Sequence, residues 1–193
     1  MLRSNDRTEV RPAPAAPSLP PGVQLLPLQV HRDSRGALAE FYRQDRVPEF
    51  HAAQWQVTTS RAATLRGMHL HLTHTDYVAV LEGRVSVGLH DLRAGSPAFG
   101  RGQLIELAGR DPAALLIPPG VAHAILSRSA STYVIGIDRA YDLADELGCR
   151  WDDPQLDIAW PIATPHLSAR DAALPALRAI APLVAPWRNR TST

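Results

Sequence analysis

The sequence predicts an all-β fold, a sandwich or barrel with a helical cover at its C-terminus. Three observations predict it. Short runs rich in Val, Ile, Leu and Tyr recur from Val23 onward. Gly, Pro, Asp or Ser turn signals separate them at a spacing of roughly 8–12 residues, the rhythm of a sandwich or barrel. The one clear helical stretch, 168–187, stands near the end of the chain. A chain of 193 residues is long enough for one domain with its own core.

Taken in order, the strand segments are VQLLPLQVH (23–31), ALAEFYR (37–43), WQVTTS (55–60), DYVAVLEGRVSVGLHDL (76–92), QLIELAG (103–109), ALLIPPG (114–120), HAILSRS (123–129) and STYVIGID (131–138). EGR (82–84) and LRAGSP (92–97) are turn-like. The helix opens on an S-x-x-D capping signal, Ser168 and Asp171, and Pro175 kinks or interrupts it. Ahead of the strands, RPAPAAPSLPPG (11–22) is proline-rich, so residues 1–22 read as a flexible tail, 23–187 as a single domain and 188–193 as a frayed terminus.

Composition excludes several chemistries. All 20 basic residues are arginine, so no Schiff-base, catalytic or phosphate-loop lysine exists. Arginine forks remain for bidentate phosphate recognition. A formal net charge of +1 gives no bulk attraction to nucleic acid. No apolar run approaches the ~20 residues of a membrane span, and neither a membrane nor nucleic acid is an expected partner. Cys149 stands alone, which rules out an internal disulfide framework and suits a reducing, cytoplasmic compartment.

The chemistry-bearing stretch is RGMHLHLTH (66–74). Strand alternation places His69 and His71 on one face and Met68 and Leu70 on the other. His74, just before Thr75 in a turn, is expected to be exposed. IPPGVAHAILS (117–127) brings His123 in after a Pro-Gly turn. The two blocks, His69–His71–Asp76–Gly83 and Pro118–His123–Ser127, resemble the two-part cupin pattern. That pattern implies a jelly-roll barrel and, in its metal-binding members, one divalent transition metal ion. Here the ligands would be His69, His71, Asp76 and His123, with Asp76 standing where glutamate is usual.

A narrower resemblance spans most of residues 25–175. DSRGALAE (33–40), LRGMH (65–69), DLRAGSPAFG (91–100), IPPGVAH (117–123), ELGCRWDDPQLDIAWP (146–161) and LSARDAA (167–173) resemble, in order and spacing, the dTDP-4-dehydrorhamnose 3,5-epimerases. The resemblance implies a homodimeric cupin jelly-roll with C-terminal helical cover. It implies proton removal beside the ketone of a nucleotide-linked 4-keto-6-deoxysugar, without an organic cofactor. Carried over by motif, His69 is the catalytic base and Asp171 its carboxylate partner. Arg66 meets the substrate phosphates, Arg35 reaches across the dimer, and His123 helps hold the enolate oxygen. The family's lysine falls at Asp76. Its tyrosine acid falls, by counting back from Trp151, at Ile135. Tyr133 lies two residues earlier on the same strand face and substitutes if the register shifts.

Plainer readings stand beside these. His69 also reads as a satisfied barrel-interior histidine, Asp171 as a helix cap, and Arg66 as a surface arginine. Arg35 and Glu40, both substrate-binding candidates, also read as a cross-strand ion pair. His71 hydrogen-bonds substrate or a neighbour, or ligates a metal. Tyr141 lines the pocket mouth or packs the helical cover. His31, His51, His90 and His166 read as surface or packing residues, and Trp151, Asp152 and Asp153 as structural. The leading expectation is a sugar-nucleotide epimerase or isomerase. The alternatives are a metal-dependent cupin enzyme (oxygenase, isomerase or cyclase) and a non-catalytic sugar-nucleotide binder.

Overall fold

Apolar residues on both strand faces force this chain into more than two layers. The computed structural model describes residues 19–184. Its strands are β1 Gln24–Pro27, β2 Gln29–Asp33, β3 Gly36–Glu40, β4 Gln54–Ser60, β5 Leu65–Leu70, β6 Asp76–Glu82, β7 Arg84–Asp91, β8 Gly102–Ala108, β9 Ala113–Ile117, β10 Val121–Ser127, β11 Ser131–Ile137 and β12 Leu147–Gly148. Two helices follow, α1 Ala169–Ala172 and α2 Leu177–Val184. One antiparallel sheet has the order β1-β9-β6-β11-β4 and the other β12-β5-β10-β7-β8, with β2-β3 as a separate hairpin. The fold is all-β, a jelly-roll of the kind predicted.

Three apolar clusters account for the layering. Val78, Val80, Val87, Leu89, Leu115 and Ile125 meet between the two sheets and fill the barrel interior. Leu65, Met68, Leu70, Ala124 and Leu126 face outward from the second sheet and are covered by Leu156, Leu177, Ile180 and Val184. Tyr77, Ala79, Leu116 and Val134 face outward from the first sheet and are covered by Val47 and Phe50. With both faces covered, β10 is buried along its whole length, His123 and Ser127 included.

The helical cover is interrupted as Pro175 implies. Ser168 Oγ accepts the Asp171 N–H at 3.0 Å and caps α1. The chain then leaves the helical path at Ala173, and Asp153 Oδ2 accepts the Leu177 N–H at 2.9 Å as α2 begins. Leu177, Ile180 and Val184 form the buried stripe of α2. The expected single helix over 168–187 is therefore two helices, and its last three residues lie outside those described. So do residues 1–18 of the proline-rich tail and the 188–193 terminus. Residues 19–22 differ from a free tail: Leu19 packs against the barrel interior, Pro20 is buried, and Pro20 O accepts the Val23 N–H at 2.9 Å.

Candidate active site

One end of the barrel interior remains open as a cavity of about 220 Å³. β5 and β10 form one wall and pair with His69 opposite His123. β4, β6 and β11 form the other, with Tyr133 opposite Thr58 and Ile137 opposite Asp76. Alternation places Tyr133, Ile135 and Ile137 in the cavity while Val134 packs outward. Met68 and Leu70 likewise point under the helices, leaving His69 to the cavity. The face assignments made from sequence hold.

His69 Nε2 lies 2.8 Å from Asp171 Oδ1 across 102 residues of sequence. A carboxylate only accepts, so Nε2 carries the proton and Nδ1 the free lone pair. Burial pushes the Asp171 carboxyl up, but the bond and charge of His69, with Ser168 and the Gly67 backbone, outweigh it and hold the pKa below the usual carboxylate value. Asp171 is therefore both cap residue and histidine partner: its backbone serves the helix and its carboxylate serves His69. Tyr133 is buried beside Ser60 and Arg66 without a hydrogen bond of full geometry, and burial raises its pKa. The β11–β6 pairing carries an irregularity between Thr132 and Tyr133. Arg66 is exposed and holds Ser60 Oγ at 3.3 Å. Tyr141 is exposed beside the cavity, its N–H bonded to Gln54 Oε1 at 3.0 Å.

The remaining histidines form a different group. The Asp76 carboxylate is buried, with the Nε2 atoms of His71, His123 and His74 at 3.7, 3.8 and 3.9 Å. Burial, with Glu146, Asp138 and Asp145 nearby, raises the Asp76 pKa well above its ordinary value. Burial and His74 lower His71 to about 4, and burial with His71 and His69 lowers His123 well below its ordinary value. His71, Asp76 and His123 can share a metal ion; His69, the fourth member expected from sequence, is turned to Asp171 instead. The four residues named from sequence as the alternative metal set therefore do not come together as one ligand group.

His74 is also corrected. It is buried at 4% exposure, stacked on His71 with ring centroids 4.0 Å apart. Asp145 explains it: Oδ1 accepts Leu72 N–H at 2.8 Å, and Oδ2 meets Thr73 N, Thr73 Oγ1 and His74 Nδ1 at 3.1, 2.8 and 2.9 Å. Sequence reading missed Asp145 and its neighbour Glu146. Glu146 accepts from Arg170 at 3.0 Å and sits 3.4 Å from His71 Nδ1. It also missed the cavity-lining Gln56 and Thr58, although polar residues at alternate positions of WQVTTS mark an inward polar face.

Asp145 yields a stability prediction. Burial raises its carboxyl pKa, and the donors of Leu72 and Thr73, with His74, outweigh that and lower it from 3.8. A depressed carboxyl stabilises the fold above its unfolded pKa and loses that contribution as pH falls through the folded value. Asp145→Ala is expected to cost about 2–4 kcal/mol at pH 7, leaving several donors unmatched. In urea unfolding, the gap from wild type should narrow as pH drops below about 4. An equal gap at pH 7 and pH 3 would contradict this.

Arg35 and Glu40 lie away from the cavity and are not paired with each other. Arg35 sits in the β2–β3 turn and binds Asp33 at 2.6 Å, while Glu40, at the far end of β3, lies 3.6 and 3.3 Å from Arg43 and Arg46. A turn residue and a strand-end residue cannot face one another in that register, Asp33 opposite Gly36 and Gln29 opposite Glu40. His90 is a packing residue, bonded to Leu156 O at 2.9 Å; His31, His51 and His166 are exposed. Asp153 caps α2, as noted, and Trp151 O accepts the Trp160 indole N–H at 3.1 Å.

Comparison with known proteins places this geometry among relatives. A family model described as dTDP-4-dehydrorhamnose 3,5-epimerase matches residues 19–179. The dTDP-4-dehydrorhamnose 3,5-epimerase of Mycobacterium tuberculosis is 32% identical over 167 residues, 80% of this chain and 83% of that protein. A 3'-monoepimerase variant from Streptomyces bikiniensis, solved with dTDP, superposes with a TM-score of 0.80 at 29% identity, covering 86% of this chain and 89% of that one. The 3,5-epimerase of Legionella pneumophila, solved with dTDP-4-keto-L-rhamnose, gives 0.79 at 29% identity, covering 89% and 95%.

Proposed function

The chain belongs to the dTDP-4-dehydrorhamnose 3,5-epimerase family, and from that premise we propose that it epimerises a nucleotide-linked 4-keto-6-deoxysugar by moving a proton beside the ketone. The observation that carries the reading is the His69–Asp171 pair, 2.8 Å apart at the cavity. The carboxylate directs the His69 lone pair through Nδ1 and stabilises the imidazolium formed when a proton is taken. A ketone already acidifies its neighbouring C–H bonds, so the step calls for no organic cofactor.

The other residues fall into roles around that pair. His123 and His71 lie on the side where the enolate oxygen is to be held. Tyr133, with a buried hydroxyl in the wall, is the candidate acid that returns a proton. Arg66, exposed beside the cavity, offers a fork to the diphosphate. Tyr141 flanks the entrance.

Arg35 is 88% exposed on a hairpin that stands apart from the barrel sheets, and a lone hairpin is only marginally stable. Exposed Leu38 and Val57 add apolar surface. These support a homodimer in which Arg35 and Glu40 serve the partner's site. The enzyme is proposed to work in the cytoplasm; no helix among the described residues is long and apolar enough to cross a membrane.

The test is incubation with dTDP-4-keto-6-deoxyglucose in deuterated water. NMR is expected to show solvent deuterium next to the ketone, at C3, at C5 or at both. No deuterium at either carbon would overturn the reading, and nucleotide binding without exchange would make the protein a binder.

A further inference from the structure

The cavity holds about 220 Å³, less than the roughly 300–1,000 Å³ of pockets that enclose a whole drug-sized ligand. A sugar ring enters it, and the nucleotide attached to that ring lies across the mouth. Tyr141 stands there, on the stretch 139–144. Every residue of that stretch is exposed, Tyr141 by 47% and Leu143 by 69%.

Both ends of 139–144 are pinned to one loop, residues 72–75. Just before the stretch, Asp138 Oδ1 accepts the Thr75 N–H at 3.0 Å. Just after it, the Asp145 carboxylate accepts the Leu72 and Thr73 N–H groups at 2.8 and 3.1 Å. The chain beyond Asp145 belongs to the frame that carries the His69–Asp171 pair. Arg170, the neighbour of Asp171, donates to Glu146 O at 3.2 Å and Glu146 Oε2 at 3.0 Å, and Gly148 pairs with His69. Between the pins the hold is slight. Apart from turn bonds within 142–146, the hydrogen bond described for the stretch is Tyr141 N–H to Gln54 Oε1 at 3.0 Å, itself exposed. A short loop with fixed ends and few backbone bonds to the body of the protein moves readily.

We propose that residues 139–144 form a strap that folds over the cavity mouth when a nucleotide-linked sugar is seated, turning Tyr141 and Leu143 onto the nucleotide. The inference rests on the nucleotide-sugar reading above. Apolar surface drives the closure, because Leu143 and the Tyr141 ring leave water only when a ligand lies beneath them. The motion stops at Asp138 and Asp145, so His69 and Asp171 keep their places while the strap moves. Closure holds the sugar through the proton transfer, and opening releases the product.

The test is amide hydrogen exchange by mass spectrometry on the full-length protein, with and without dTDP, after calorimetry has established binding. Amides of 139–144 are expected to exchange fast without dTDP and at least tenfold slower at saturation. Those of β5 and of Leu147–Gly148 should be protected in both conditions. Leu143→Ser should keep the wild-type melting midpoint and release dTDP at least threefold faster. Bound dTDP with unchanged exchange at 139–144 would overturn the strap and leave the epimerase reading standing. So would a strap already protected without dTDP, or a wild-type dissociation rate in Leu143→Ser. No dTDP binding at all would overturn the nucleotide-sugar reading and the strap together.

Discussion

Asp171→Asn is expected to lower turnover by about two to four powers of ten while the substrate KM changes little. The carboxylate accepts the His69 Nε2 proton at 2.8 Å and so keeps the lone pair on Nδ1. An amide of the same shape can present N–H to that nitrogen instead, which favours the opposite tautomer and points a proton where the base should be. It also withdraws the negative charge that stabilises the imidazolium. The cap survives, because it uses the residue's backbone N–H and Ser168 Oγ. Steady-state kinetics with a thermal melt separate the two roles. A melt close to wild type with a collapsed kcat fits the dyad; unchanged kcat would reduce Asp171 to a cap.

Gly67→Ala is expected to destabilise the protein by about 2–4 kcal/mol, a fall in melting midpoint of about 5–15 °C. Gly67 has φ +126°, where a side chain is strained. A Cβ there would lie 2.5 Å from Ala124 Cβ and 2.7 Å from both Ala124 Cα and His123 O. β5 and β10 approach closely here, and the approach brings His69 opposite His123. Pushing the strands apart should therefore cost activity along with stability. A melting midpoint and turnover both at wild-type values would contradict the account.

Alternation made the fold legible. WQVTTS carries its polar Gln56 and Thr58 inward to the cavity, and STYVIGID carries Tyr133, Ile135 and Ile137 there. Pro175 marked the helix break because its ring cannot continue the hydrogen-bond ladder. The His69–Asp171 partnership was legible only through the family resemblance, which joins two motifs about a hundred residues apart; locally Asp171 signals a helix cap and nothing more. His74 was not. Its burial depends on Asp145, 71 residues away, folding back onto the 72–74 loop. Nothing local to His74 carries that information. The same holds for the splitting of the histidines into two groups, since a two-residue alternation puts His69 and His71 on one face but leaves their partners unspecified. Arg35 and Glu40 failed as a pair because block spacing does not fix hairpin register; the turn at Gly36 does.

The central claim is that His69, held by Asp171, moves a proton beside the ketone of a sugar nucleotide. Its most direct test compares wild type with His69→Asn in deuterated water, following C3 and C5 of dTDP-4-keto-6-deoxyglucose by NMR. The account predicts solvent deuterium with wild type and exchange slowed by about 10²–10⁴-fold in the folded variant. Exchange at the wild-type rate without His69 would contradict it.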